Sequence, residues 1–189
     1  MNDFLNKTFY GNTIQEWGIS LLIILFSIVF AKVIYWIFGN IIKKFTKKTK
    51  TNLDYLIVDN IEEPIVTAIV LAGFWFGPNY LNLTEGLENF LNKTFYFAIT
   101  FVVFWLIVRL VDALIVQYLS PIVKKTRGDL DDHILYIVRK SFKVAIWILA
   151  VVIGLNNAGY DVGALIAGLG IGGLAFALAA KDSVANLFG

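Results

Sequence analysis

Apolar residues along this chain gather into five long blocks separated by short polar stretches. The blocks run from about Ile14 to Phe38, Ile61 to Leu81, Thr94 to Leu119, Ile134 to Asn156 and Val162 to Ala180. Each is near the roughly 20 mostly apolar residues that an α-helix needs to cross a bilayer core. The pattern therefore predicts an all-α integral membrane protein with five spans. The first block lacks a basic leader and a small-residue cleavage site, so it reads as a retained span rather than a signal peptide.

Composition agrees. Of 189 residues, 58% are hydrophobic and only 16% charged, which is too apolar for a soluble domain of this length. Cysteine is absent, which excludes disulfides and thiolate metal sites. The placement of charge is more informative than its net value of +2. The loop "NIIKKFTKKTKTNLD" holds five Lys, and "SPIVKKTRGDLDDH" holds Lys124, Lys125 and Arg127, with Arg139, Lys140 and Lys143 just beyond. The other two loops offer only Lys93. The positive-inside rule places the basic loops in the cytoplasm, the N-terminus outside and the C-terminus inside. The expected location is the cell (inner) membrane of a bacterium. Trp17, Trp36, Trp75, Tyr80 and Tyr96 stand near block ends, as interfacial aromatics do.

The chain also matches itself at an offset of 77 residues. Lys47-Lys48-Thr49-Lys50 returns as Lys124-Lys125-Thr126-Arg127, Leu53-Asp54 as Leu130-Asp131, Ala68-Ile69 as Ala145-Ile146, and Gly77 and Asn79 as Gly154 and Asn156. Lys32 corresponds to Arg109. This is the pattern of a duplicated helical hairpin, although basic turns between apolar spans can also converge. The expected organisation is a first hairpin over 1–82, a second hairpin over 83–158, and a separate terminal segment over 159–189.

That last segment has an unusual composition: residues 163–180 contain five Gly and six Ala. On a wheel of about 100° per residue, Gly163, Ala167, Gly170, Leu174, Leu178 and Lys181 form one stripe, bordered by Ile171 and Ala177. One flank carries Ala164, Gly168, Gly172, Ala175 and Ala179; the other carries Gly173 and Ala180 with Ile166. Leu165, Leu169 and Phe176 face away. Small residues four apart let helices approach closely in lipid. Gly168 and Gly172 alone would also fit an ordinary buried helix in a bundle. Small residues on both flanks suit a ring, in which each helix meets a left and a right neighbour. Leu174 and Leu178 would then form two apolar rings about an axis, a constriction that blocks ions by dewetting. Nothing on the stripe predicts strong ion selectivity.

The stretch "GLGIGGLAFALAAKDSVANLFG" resembles the pore helix of the small-conductance mechanosensitive channel (MscS-type) family. Leu174 and Leu178 match the paired constriction leucines, and Lys181, Asp182, Ser183 and Asn186 match the start of the amphipathic continuation. "KKTRGDLDDHILYIVRKSFKVAIWILAVVIGLNNAGYDVGALIAG" looks like the lead-in. The resemblance covers roughly Pro121 to Gly189, with the first hairpin as an accessory pair of a five-span member. It implies a homo-oligomeric ring, heptameric in the family, opened by membrane tension and releasing ions and small solutes during hypo-osmotic shock. It implies a helix break at Lys181–Asp182, where many members have Gly, and a cytoplasmic β-rich vestibule that this chain does not include.

Remaining features point less far. Lys32 and Arg109 lie inside apolar blocks and are expected to anchor at the lipid interface by snorkelling, Arg109 with Asp112 one turn away. His133 beside Asp131 and Asp132 reads as a solvated turn, so no metal or cofactor is expected. Asp54 and Asp131 are expected to cap helices, and Glu62-Glu63-Pro64 resembles a helix start. No catalytic grouping, phosphate loop or dinucleotide fingerprint is present, and no nucleic-acid partner is implied. The expected partners are other copies of the chain, membrane lipids and permeating solutes. Two other readings are a secondary transporter built on repeated hairpins, which would need a polar site at mid-membrane, and a non-conducting membrane assembly module.

Overall fold

The computed structural model describes residues 2–46, 52–123 and 129–188, with side chains over 4–44, 55–119, 135–182 and 185–186. Its helices are α1 (Asn2–Leu5), α2 (Ile14–Ile37), α3 (Lys43–Thr46), α4 (Asn52–Phe76), α5 (Glu85–Val123), α6 (Asp129–Asn157) and α7 (Gly163–Phe188). A π-helical segment, Phe38–Ile42, joins α2 to α3. The described chain is almost wholly helical, as an all-α membrane protein requires. One addition was not foreseen: strands β1 (Thr8–Phe9) and β2 (Asn12–Thr13) form a small antiparallel hairpin before α2.

Local chemistry sets the element ends. Thr13 and Glu16 form a reciprocal capping box at the start of α2. The N–H groups of Leu87 and Glu88 bond the Thr84 carbonyl at the start of α5. Beyond α6, Gly159 adopts φ +81°, and the Tyr160 N–H bonds back to the Leu155 carbonyl at 3.0 Å. This left-handed glycine ends α6 and turns the chain into α7. The Asp161 carboxylate then accepts from the Gly163 N–H at 2.8 Å.

Three described segments are long and apolar enough to cross a membrane unaided: Ile14–Ile42, Glu85–Leu119 and Gly163–Asp182. α4 and α6 are helices of 25 and 29 residues, but charged side chains occupy part of each. α4 begins at Asn52, so Glu62-Glu63-Pro64 does not start a helix. Pro64 lies inside α4 and is fully buried. A proline there removes one backbone bond; ion pairs from Asp59, Glu62 and Glu63, all within the five residues before it, tie that stretch of the helix to its neighbours. Asp54 and Asp131 fall within the first turns of α4 and α6, and their side chains, with those of Asp132 and His133, lie outside the described residues.

The principal contacts follow chain order: α2 packs on α4, α4 on α5, and α5 on α6. The α2–α4 crossing is built from small groups. Ser20, Ser27 and Ala31 are buried on α2. Opposite them, a Cβ on Gly73 would overlap the Ser27 side chain, and one on Gly77 would come within 2.7 Å of Ile24 Cγ1. Gly73 and Gly77 are four apart and permit this approach. At the α5–α6 crossing Gly154 fits against Phe97 and Phe101, and the Asn157 amide donates to the buried Thr100 hydroxyl at 3.1 Å. Adding 77 to Ser20, Ile24 and Gly77 gives Phe97, Phe101 and Gly154. The repeat thus relates packing contacts as well as residue types.

Candidate functional site

α7 stands apart from the other helices. Every residue from Gly163 to Ala179 is exposed, and none of the principal inter-element contacts involves α7. Leu174 and Leu178 are 64% and 66% exposed. A Cβ on Gly168, Gly170, Gly172 or Gly173 would meet nothing within 4 Å. The stripe residues Gly163, Ala167, Gly170 and Ile171 and the flank residues Ala164, Ala175 and Ala179 are likewise uncovered by the chain itself. An ordinary buried helix would show the opposite. α7 also runs unbroken through Lys181 and Asp182 to Phe188. The break expected there is absent from the helix, whose neighbouring residues are mostly good helix formers and whose Asp182 lacks the freedom of glycine.

Charged residues of α3 to α6 form a belt that joins the packed helices. Lys43 of α3 pairs with Asp59 at 2.7 Å and with Glu62, both of α4. Glu62 is only 3% exposed. The hydrogen bond to Asp59, then that to Glu62, holds the Lys43 ammonium well above the usual lysine range. Arg109 of α5 pairs with Glu63 of α4, and also donates to Asn60 Oδ1 at 3.4 Å and the Asp59 carbonyl at 3.3 Å. Its guanidinium lies 5.6 Å from the Trp105 ring centroid. Asp112 of α5 is shared by Arg139 and Lys143 of α6.

The belt changes the reading of two residues. Arg109 does not use Asp112, one turn away, and is held by protein groups of α4, because the close α4–α5 packing brings a full set of acceptors within reach. Lys32, its counterpart in the repeat, is exposed on α2 and has no ion pair among the described residues. Lys181 and Asp182 are exposed on α7. Sequence reasoning did not identify Lys43, Asp59, Glu62, Glu63 and Asp112 as a group. The available signal was charge within otherwise apolar helices, opposite in sign between consecutive spans. No cluster of potential metal ligands occurs among the described residues.

Comparison with known proteins bears on the same segment. A family model described as "Mechanosensitive ion channel, transmembrane helices 2/3" matches residues 140–181, which end at Lys181 of α7. The chain is 34% identical over 188 residues to the large-conductance mechanosensitive channel MscMJLR of Methanocaldococcus jannaschii, covering 99% of this chain and 52% of that protein. It belongs to the MscS-type mechanosensitive channel family. The small-conductance mechanosensitive channel MscMJ of the same organism is 34% identical over 182 residues, 96% of this chain and 52% of its own length. The MscS family protein YhdY of Bacillus subtilis is 29% identical over 189 residues, 100% of this chain and 51% of its own. The chain therefore spans about half the length of these curated relatives. No solved structure shows a significant match. As an MscS-type sequence it belongs to a family of channels, not of enzymes.

Proposed function

We propose that this chain forms the membrane part of a tension-gated channel, with copies of α7 packed side by side around a central pore. The observation that carries the reading is the exposure of α7 over Gly163–Ala179, in a chain whose other long helices pack together. An apolar helix with small residues on two flanks and no cover from its own chain fits neighbours supplied by other subunits. The ring is a heptamer in this reading. Leu174 and Leu178 face the axis as two dewetted rings, and Gly163, Ala167, Gly170 and Ile171 line the pore with Lys181 at its cytoplasmic mouth. Ala164, Gly168, Gly172, Gly173, Ala175 and Ala179 form the contacts between copies.

Tension performs work in proportion to the gain in membrane area, so it favours the wider state. The row of α2, α4, α5 and α6 meets the lipid, and the α2–α4 packing together with the ionic belt of α3 to α6 makes it tilt as one body. The flanks of α7 then slide and the leucine rings separate. Ions and small solutes leave with little discrimination during hypo-osmotic shock. In this arrangement the five helices α2, α4, α5, α6 and α7 all cross the cell membrane, with the N-terminus outside and the C-terminus in the cytoplasm. Residues 1–82 form the accessory hairpin, 83–158 the tension sensor and 159–189 the pore segment.

The test is patch recording of the reconstituted protein under suction. Current that rises with suction supports the reading. Solute flux without tension would favour a transporter, and neither would leave a non-conducting assembly.

A further inference from the structure

The hairpin ahead of α2 carries a feature that a simple lead-in to a membrane span does not need. Its two-residue turn is Tyr10-Gly11, with φ +51° and +78°. Glycine adopts this left-handed backbone freely. Asn, Asp and Gly are the usual occupants of such turns, and a bulky aromatic residue there is an outlier. A strained position persists only where its surroundings over-determine it, and such positions concentrate at functional sites.

The surroundings here are specific. Asn12 is 1% exposed; its amide donates to the carbonyls of Tyr10 and Asn82, both at 3.2 Å, and its Oδ1 accepts from the Asn82 N–H at 2.6 Å. The Trp17 indole donates to the Phe9 carbonyl at 3.1 Å. These bonds fix the hairpin against the first turn of α2 and against the turn between α4 and α5. They bury no aromatic group at the tip. Tyr10 is 82% exposed and Phe9 62%, and their rings meet edge to face at 4.6 Å. Phe4 is also exposed, with the Lys7 ammonium 5.9 Å from its ring centroid. A tip adapted to water would gain nothing from these rings.

The place of the hairpin at the head of α2 points to the medium. Its bond to Trp17 sets Phe9 beside the first turn of α2, and the exposed residues Leu21, Leu22 and Leu25 of α2 begin one turn further on. The aromatic tip therefore lies at the end of α2 where its exposed apolar residues begin. Tyrosine and tryptophan favour this boundary, where a ring meets acyl chains on one side and headgroups on the other, and phenylalanine supplies the apolar side of interfacial segments. We propose that residues 4–13 are an interfacial lipid anchor, with Phe4, Phe9 and Tyr10 inserted at the headgroup–acyl boundary, and that Asn12 ties the α4–α5 turn to that surface. The inference rests on α2 spanning the membrane and does not depend on the ring or its gate.

The chain contains no cysteine, so a single introduced one is uniquely labelled. A nitroxide at Phe9→Cys, standing in for the ring, is compared with one at Leu22→Cys in vesicles of phosphatidylcholine and phosphatidylglycerol. Collision with oxygen reports lipid, and collision with a water-soluble nickel chelate reports water. The expected result is an oxygen-favoured ratio at both positions. A nickel-favoured ratio at Phe9 with an oxygen-favoured one at Leu22 overturns the anchor and leaves the span intact. Nickel-favoured ratios at both overturn the span as well. Spin–spin broadening at Phe9 would place a second copy there instead and also overturn the proposal. Tyr10→Gly relieves the left-handed residue and so preserves the hairpin. In that background the Phe9 label is expected to lose part of its oxygen preference, and an unchanged ratio would count against insertion of Tyr10.

Discussion

The carboxylate of Asp112 receives two parallel hydrogen bonds from the guanidinium of Arg139, at 2.8 and 2.9 Å. Such a fork is stronger and more directional than a single contact. Lys143 reaches the same carboxylate at 3.0 Å, so one acid on α5 secures two bases on α6. Asp112→Asn is expected to destabilise the folded protein by about 1–3 kcal/mol, less than the loss of a fully buried partner because the site is partly exposed. The double variant Asp112→Asn/Arg139→Gln should cost less than the sum of the single changes. Unfolding in detergent, followed by circular dichroism, measures both; strict additivity would mean the pair is not coupled.

Gly73 and Gly172 both belong to small-residue spacings, yet they have opposite surroundings. Gly73 faces Ser27 with no room for a Cβ, whereas Gly172 has nothing within 4 Å. Gly73→Val is expected to destabilise the α2–α4 pair by about 1–3 kcal/mol through overpacking. Gly172→Leu should leave the unfolding midpoint of the packed helices unchanged while altering the mass of the assembly or the tension that opens it. Native mass spectrometry and suction recording supply the second readout. A channel with unchanged mass and threshold would argue against close contacts along that flank.

Leu174→Ser tests the axial stripe. A hydroxyl in place of an apolar ring is expected to wet the constriction and produce current at rest. Leu165→Ser, on the far face of α7, should produce no such leak. Equal leak from both would remove the distinction between stripe and back.

The Lys43 pairs predict a pH response. A lysine whose folded pKa is raised contributes stability in full below its unfolded value of about 10.4, and loses it as pH rises through the folded value. Its share should therefore be flat from pH 6 to 9 and decline only in strong alkali. Lys43→Gln should lower the unfolding midpoint across that flat range and reduce the alkaline decline. A wild-type loss near neutrality that Lys43→Gln abolishes would contradict this assignment.

Much of the architecture was legible from periodicity alone. Apolar length located the helices, and the offset of 77 residues anticipated that Gly77 and Gly154 would hold equivalent places. Other features depended on distance between elements. Gly73-Phe74-Trp75-Phe76-Gly77 carries the same spacing as Gly168 and Gly172, but only packing shows that the first pair is filled by α2 and the second is empty. Asp112 is one turn from Arg109 in sequence, and neighbouring helices supply both with other partners.

By itself the sequence determined that the chain is a helical membrane protein whose residues match one another at an offset of 77 and whose segment 163–180 is rich in Gly and Ala. Hydropathy and repeats are properties of the covalent order, and solvent acts on them locally. Tertiary structure decided which acid meets which base, which glycine is crowded, and that Pro64 sits inside α4. It also revealed the hairpin held by Asn12 and Asn82, which are 70 residues apart. Side-chain partners separated by tens of residues are set by how helices cross, and no local pattern encodes that geometry.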